Sequence, residues 1–314
     1  MFGFLLVLLS SVLFCFQNVI VRVLFNQQII FGIFETGGFV TPTLQNSFLL
    51  MFMRMLLGVP LLTLIAHKLH APFWQDILRL KQTEHRLLLL QSLAGGTLMF
   101  LYLALLYISI GLIPTGVALT LFFTYPIFTA LFSWRWFGNR PTLFHWIITI
   151  FVFLGSFLTI PLGNSALTET SSIGFVLGVA SGVAYALYTV VAQKSFEQLH
   201  PIPFTWISFT TTLVLSGAGL LFWNLETAQL AWMPLWIGGL LSAIVTFGGH
   251  LLNNLGIRRI GATTASMIGV TNPALTVVLA WLTIQELLSG LQIFGVLVVT
   301  FSVALLSMKY SKAK

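Results

Sequence analysis

The residues of this 314-residue chain that carry reactive or hydrogen-bonding groups stand mostly alone inside apolar runs. Arg54 interrupts the stretch SFLLMFMRMLLGV and has no acidic neighbour there. A guanidinium held in such a run attracts an anionic group such as a carboxylate, pairs with carbonyls, or snorkels to the interface. Ser181, Tyr185 and Tyr188 fall at i, i+4 and i+7, on one helical face. Ser10, Phe14 and Gln17 repeat that spacing, with Asn18 adjacent. His250 and Asn254 are spaced i, i+4, and the imidazole offers a protonation switch near neutral pH, a substrate ligand or a structural hydrogen bond. Asn253 and Asn254 are expected close to the inner surface. Tyr102 is a further candidate, and Tyr125 and Asn272 each precede a proline, Pro126 and Pro273. These groups suit binding by hydrogen bonds and charge. No HExxH pair, Asp/His cluster or Ser-His-acid arrangement accompanies them. The lone Cys15 excludes an intramolecular disulfide and a cysteine metal cluster, and neither metal nor cofactor is expected.

The elements that must position these groups are set by composition. Charged residues make up 7% and hydrophobic residues 58%, with a mean hydropathy of +1.00. A soluble chain carries about 25% charged residues. The net charge of +7 comes from 14 basic residues that form no continuous patch, so nucleic acid is not an expected partner. The lipid bilayer is. A helix needs roughly 20 mainly apolar residues to span it. Ten runs qualify: 3–25, 48–66, 87–107, 112–134, 143–162, 173–193, 203–223, 233–254, 262–283 and 291–308. The first lacks a basic start and a small-residue cleavage site, so it reads as a retained span. The expected fold class is an all-α integral membrane protein.

Basic residues orient the spans. With the N-terminus inside, inner connections hold Lys68, Arg79, Lys81, Arg86, Arg135, Arg140, Lys194, Arg258 and Arg259, and the tail adds Lys309, Lys312 and Lys314. Outer connections carry Glu35, Glu169 and Glu226 and no basic residue. Both termini are thus expected in the cytoplasm, in a plasma or inner membrane. Residues 67–86 place Phe73, Ile77 and Leu80 on one face and predict a short helix on the inner surface. Residues 26–47 predict an outer segment broken at Gly37-Gly38 and Thr41-Pro42, with an apolar first half that dips into the headgroups.

An internal repeat organises the whole. GFLLVLLSSV at 3–12 aligns with GFVLGVASGV at 174–183, an offset of 171. Spans four and nine align at an offset of 147, sharing Ala118/Ala265, Thr124/Thr271, Pro126/Pro273, Thr129/Thr276 and Trp134/Trp281. The difference of 24 residues fits in the outer segment 26–47. Five spans per half is an odd number, so the halves, 1–165 and 166–314, run oppositely through the membrane. Inverted repeats of this kind build alternating-access carriers with a site near the midplane. Each proline sits mid-span and frees the carbonyl four residues earlier, at Phe122 or Gly269. The pair reads either as hinges lining the cavity or as ordinary kinks. Gly174, Gly178 and Gly182 form a small-residue stripe that reads as helix packing.

The stretches ALLYISIGLIPTGVALTLFFTYPIFTALFSWRWFGNRPT at 104–142 and NNLGIRRIGATTASMIGVTNPALTVVLAWLTIQELL at 253–288 resemble the EamA-type family of the drug/metabolite transporter superfamily. In that family each half ends with a small-residue helix start, a mid-helix Glu-Pro and a late Gly-Glu. The resemblance implies a secondary transporter of small metabolites with cytoplasmic termini. Tyr125 and Asn272 replace the two acids before proline, and Asn139 replaces the late acid that Glu286 keeps. Without mid-membrane carboxylates, proton-coupled cation export is disfavoured. An amino acid, organic anion or similar neutral or anionic solute fits better. The expected activity is secondary transport by alternating access around a central cavity, not enzyme catalysis. A small molecule is the expected partner, and a homodimer is allowed. The alternatives are a membrane-embedded enzyme or a lipid-handling protein. A scaffold would bring a sizeable extramembrane segment, and a channel would bring rings of charge.

Overall fold

The computed structural model describes residues 1–113, 115–138, 140–159, 171–222, 230–284 and 289–312. Asn139, Glu169, Glu226, Glu286 and Lys314 lie outside the described residues, and so do the side chains of Lys309 and Lys312. The apolar runs are helices because, away from water, each backbone N–H and C=O has to be bonded within its own segment. The helices are α1 (Phe2–Phe25), α2 (Leu44–Leu69), α3 (Phe73–Arg79), α4 (Arg86–Leu112), α5 (Thr115–Phe122), α6 (Tyr125–Phe137) and α7 (Leu143–Thr159). They continue with α8 (Ser171–Ser195), α9 (Pro201–Leu220), α10 (Trp232–Gly269), α11 (Asn272–Ile284) and α12 (Gly290–Lys312). Among the described residues, six stretches are long and apolar enough to cross a membrane. They are Phe2–Phe25, Leu44–Leu69, Thr83–Leu112, Val117–Phe137, Ser172–Ser195 and Trp232–Gly269. Leu143–Gly155, Asn272–Ile284 and Gly290–Ser302 are shorter apolar helices. The chain is an integral, multi-pass membrane protein.

Small residues set the closest helix pairs. α1 runs antiparallel to α10, with Gly238 against Leu24, Gly249 against Phe14 and Gly256 against Val7. The stripe on α8 packs as expected: Gly174 meets Ile113, Gly178 meets Leu121, and Gly182 faces the Phe122 carbonyl. α9 lies between α2 and α4, where Gly95 and Gly96 receive Phe204 and Thr211. α7 and α12 pair with each other beside α11, at Gly155 against Val299. Leu291, Phe294, Leu297 and Phe301 of α12 turn outward, more than half exposed, as a lipid-facing row does.

Three features depart from the sequence reading. The fourth expected span is not one kinked helix: α5 ends at Phe122 and α6 begins at Tyr125. The ninth breaks at the equivalent place, between Gly269 and Asn272, and Gly261 bends the chain just before it with φ 79°. Pro126 and Pro273 therefore occupy the first turn of a second helix, where a missing N–H costs no intrahelical bond. The segment 26–47 holds strands, β1 (Gln27–Ile30) and β2 (Phe34–Gly37), paired antiparallel around Phe31–Ile33. Its return limb bonds the last carbonyls of α1: Gly38 N–H to Val23 O, and Phe39 and Val40 N–H to Leu24 O. Gly37, at φ 117°, comes so close to Val23 O and Asn26 O that no Cβ fits. The tip docks elsewhere, Phe31 N–H donating to Thr283 O near the end of α11.

At the opposite face, α3 forms within the expected surface segment and buries Phe73 and Leu80 against α9. His70 Nε2 lies 2.8 Å from Asp76 Oδ2, and the His70 and His200 rings stack at 4.0 Å. His200 Nδ1 accepts from Ile202 N–H at 3.3 Å, capping α9.

Candidate functional site

A cavity of about 730 Å³ opens between α1, α2, α4, α5, the start of α6, α8, α10 and α11. It reaches the face that carries the β1–β2 hairpin, where Phe25, Asn26, Pro42, Ser47 and Ile110 form its rim. Towards the other face it stops near Ser10, Tyr185 and Asn253. Below that level α1 and α10 are in close contact, and the Tyr188 hydroxyl donates to Asn254 Oδ1 (3.3 Å). Asn254 Nδ2 in turn donates to Thr205 Oγ1 (2.9 Å), tying α8, α9 and α10 together.

One wall is polar. Arg54, 6% exposed, lies ten residues into α2, roughly 15 Å along it at ~1.5 Å per residue. Its Nη2 donates to the Tyr107 hydroxyl at 3.5 Å, and its Nε has no hydrogen-bond partner. The Gln17 amide, turned so that its oxygen faces the guanidinium, accepts from Nη1 at 2.8 Å and donates to Thr246 at 3.1 Å. Both partners of Arg54 are neutral. Asn18 Nδ2 donates to Asn272 Oδ1 (2.9 Å) and Thr276 Oγ1 (3.0 Å), while Asn272 Nδ2 reaches Ser11 O (3.3 Å). This network joins α1 to the start of α11. His250 Nδ1 and Asn253 Nδ2 are buried without partners beside the same space.

The floor is aromatic. Tyr102, Phe122, Tyr125 and Tyr185 enclose one another, with ring centroids 4.6 Å apart for Tyr125 and Tyr185 and 4.9 Å for Tyr102 and Tyr185. Tyr125 also crosses to the second broken helix, its hydroxyl donating to Ser266 O at 3.2 Å. Such a cavity suits a small solute with an anionic head for Arg54 and a body that lies on rings.

Of the residues singled out in the sequence, Gln17, Asn18, Arg54, Tyr102, Tyr125, Tyr185, His250, Asn272 and Pro273 all line this cavity. Tyr188 is fully buried beneath the floor, and Pro126 is buried in the first turn of α6. Asn253 and Asn254 are 5% and 0% exposed, Asn253 at the cavity and Asn254 in the cluster below it. The sequence reading passed over Tyr107, Phe122, Ser11, Thr246 and Thr276 as lining groups. Thr246 was accessible through spacing, because it shares a helical face with His250 and Asn253.

The EamA-like transporter family model matches residues 40–160 and again 172–308. This chain belongs to that family. It is 55% identical over 97% of its length to the transporter sll1319 of Synechocystis sp., covering 93% of that protein. It is 26% identical over 69% of its length to the threonine/homoserine exporter RhtA of Escherichia coli, covering 70% of it. A crystal structure with 14% identity superimposes with a TM-score of 0.74, over 99% of this chain and 98% of the other. The fold is shared at that distance. As an EamA-family transporter, the chain takes a small-molecule substrate and works embedded in a membrane, and its relatives carry the names of transporters, not of enzymes.

Proposed function

We propose that this chain is a secondary carrier that moves a small carboxylate-bearing metabolite by alternating access. In this reading α1 to α7, residues 1–165, and α8 to α12, residues 166–314, are inverted repeats of five spans each. Two matches to one family model and two helix breaks at the 147-residue offset support it. The positive-inside pattern supports cytoplasmic termini and an external hairpin. The cavity then faces outward and the Tyr188–Asn254–Thr205 cluster is the inner seal. Polar groups at the cavity, including Gln17, Asn18, Tyr102, Tyr125, Tyr185, His250 and Asn272, orient the cargo.

One observation carries the substrate class: Arg54 is a buried cation in the cavity wall whose partners, Gln17 and Tyr107, are neutral and whose Nε is unmatched. A charge-assisted hydrogen bond to a carboxylate supplies what it lacks. Amino acids are the first probes, because RhtA is named for threonine and homoserine. The test measures melting temperature and binding in detergent for acid and amide pairs, such as L-threonine and L-threoninamide, across a panel of side chains. At least one acid should bind with its amide roughly tenfold weaker or worse, the equivalent of about 1.4 kcal/mol. Arg54→Gln should remove the discrimination and Arg54→Lys should keep part of it. Amides that bind as well as their acids would sink the carboxylate assignment.

A further inference from the structure

The charge balance of the cavity says more than which head group it receives. Among the described residues, the acids are Glu35, Asp76, Glu84 and Glu197, and none lines the cavity. Asp76 pairs with His70 and Glu197 with Lys194, both outside it. Arg54 touches Gln17 and Tyr107, which satisfy two nitrogens and cancel no charge. Arginine, unlike histidine or lysine, cannot shed its charge by losing a proton. While the cavity is open, the wall that Arg54 lines borders a space wide enough for water, which screens its charge. Closure expels that water, and a buried charge without a counter-charge is strongly disfavoured.

We propose that Arg54 makes this carrier an exchanger of anions: the empty cavity stays open to the hairpin face, and only a cavity holding an anion closes and turns over. Each inward passage of an anion then has to be matched by an outward one, and net flux is slow. This rests on the carrier reading above and deepens it. The sequence agrees, since Tyr125 and Asn272, which precede the paired prolines and line the cavity with Arg54, carry no charge to neutralise it.

The test needs no knowledge of the cargo. In a Cys15→Ala background reconstituted in nanodiscs, single cysteines report each side: Ile110→Cys at the open wall and Ile257→Cys, 1% exposed, in the sealed half. A neutral, polar maleimide, which cannot serve as the anion, is added with no other solute. With Arg54 present, position 110 should react quickly and position 257 should be protected. Arg54→Gln and Arg54→Met should raise labelling at 257 roughly tenfold and lower it at 110, as expected when a two-state balance shifts. Arg54→Lys should behave as the parent does. Val299→Cys, buried between α7 and α12, has to stay protected in each variant, so that loosening of the fold is told apart from turnover. Should one variant fail that control, the other carries the reading. Asn254→Ala, which breaks the seal, separates the two ideas. If it shifts labelling reciprocally from 110 to 257 while both Arg54 variants match the parent, the exchange proposal falls and the carrier stands. If no variant produces a reciprocal shift, the carrier reading falls, and exchange with it.

Discussion

Tyr125 shows how one side chain can serve two broken helices. It starts α6, lines the cavity, and donates from its hydroxyl to Ser266 O in the last turn of α10. Gly269 makes room for it, because a Cβ there would land on the tyrosine oxygen. Gly269→Ala should therefore lower the melting temperature, although alanine is the better helix former. Tyr125→Phe should rescue most of that loss, and a double-mutant cycle should give a coupling energy of about 0.5–3 kcal/mol. Additive effects would mean that the two residues do not meet. At this scale the sequence was informative where a polar group interrupted an apolar run, as with Arg54, Gln17 and His250. It was less so for Tyr188, since a shared helical face does not say whether a ring lines a space or lies under it. Thr276 was passed over because short hydroxyls in membrane helices commonly bond their own backbone, as that of Ser11 does to Val7 O, and Ser11 enters the network only through its carbonyl.

Among the elements, the paired breaks at 123–124 and 270–271 matter most. A proline in sequence looks the same whether it kinks a helix or starts one, so the position was legible and the geometry was not. The first break depends on α8. A methyl at Gly182 would sit 2.8 Å from the Phe122 carbonyl, a backbone atom that cannot step aside. Gly182→Ala should cost about 1–3 kcal/mol by overpacking. Gly217→Ala, which meets only the movable end of Phe52 at 3.0 Å, should cost less. Parallel thermal unfolding of the two variants checks the order.

The N-terminus of α9 makes a different prediction. Burial, then the neighbouring His70 and Arg258, lowers the pKa of His200 to about 4 from its ordinary 6.5. The folded protein thus binds fewer protons at this site than the unfolded chain between those values. Stability from this group is complete above about pH 6.5 and is lost as pH falls towards 4. His200→Asn replaces the Nδ1 acceptor with a capping oxygen and should flatten the slope of melting temperature in that window. A slope unchanged in the variant would assign the pH dependence to other groups.

At the scale of the whole molecule, membrane class and approximate helix boundaries could be read from hydropathy, because the bilayer imposes both length and composition. The hairpin could not. Its strands are four residues each, and their pairing is held by contacts to the ends of α1 and α11 that no local pattern announces. Those contacts suggest a mechanical role. Phe31 bonded to Thr283 and Gly38 to Val23 strap α1 and α11 into one body. Replacing residues 28–36 with a short glycine-serine linker should leave the helices formed by circular dichroism. It should also lower thermal stability by a few kcal/mol, as the loss of several packed and hydrogen-bonded residues implies.

The one-sided opening of the cavity also has a pharmacological consequence. A carboxylate with a bulky tail, too large to be enclosed and too polar to cross the bilayer, can still place its head against Arg54 from the hairpin face. From the sealed face the same compound meets only the packed helices of α1 and α10. Blockade by such a compound would have a sidedness, and that asymmetry would show from which compartment a drug has to arrive.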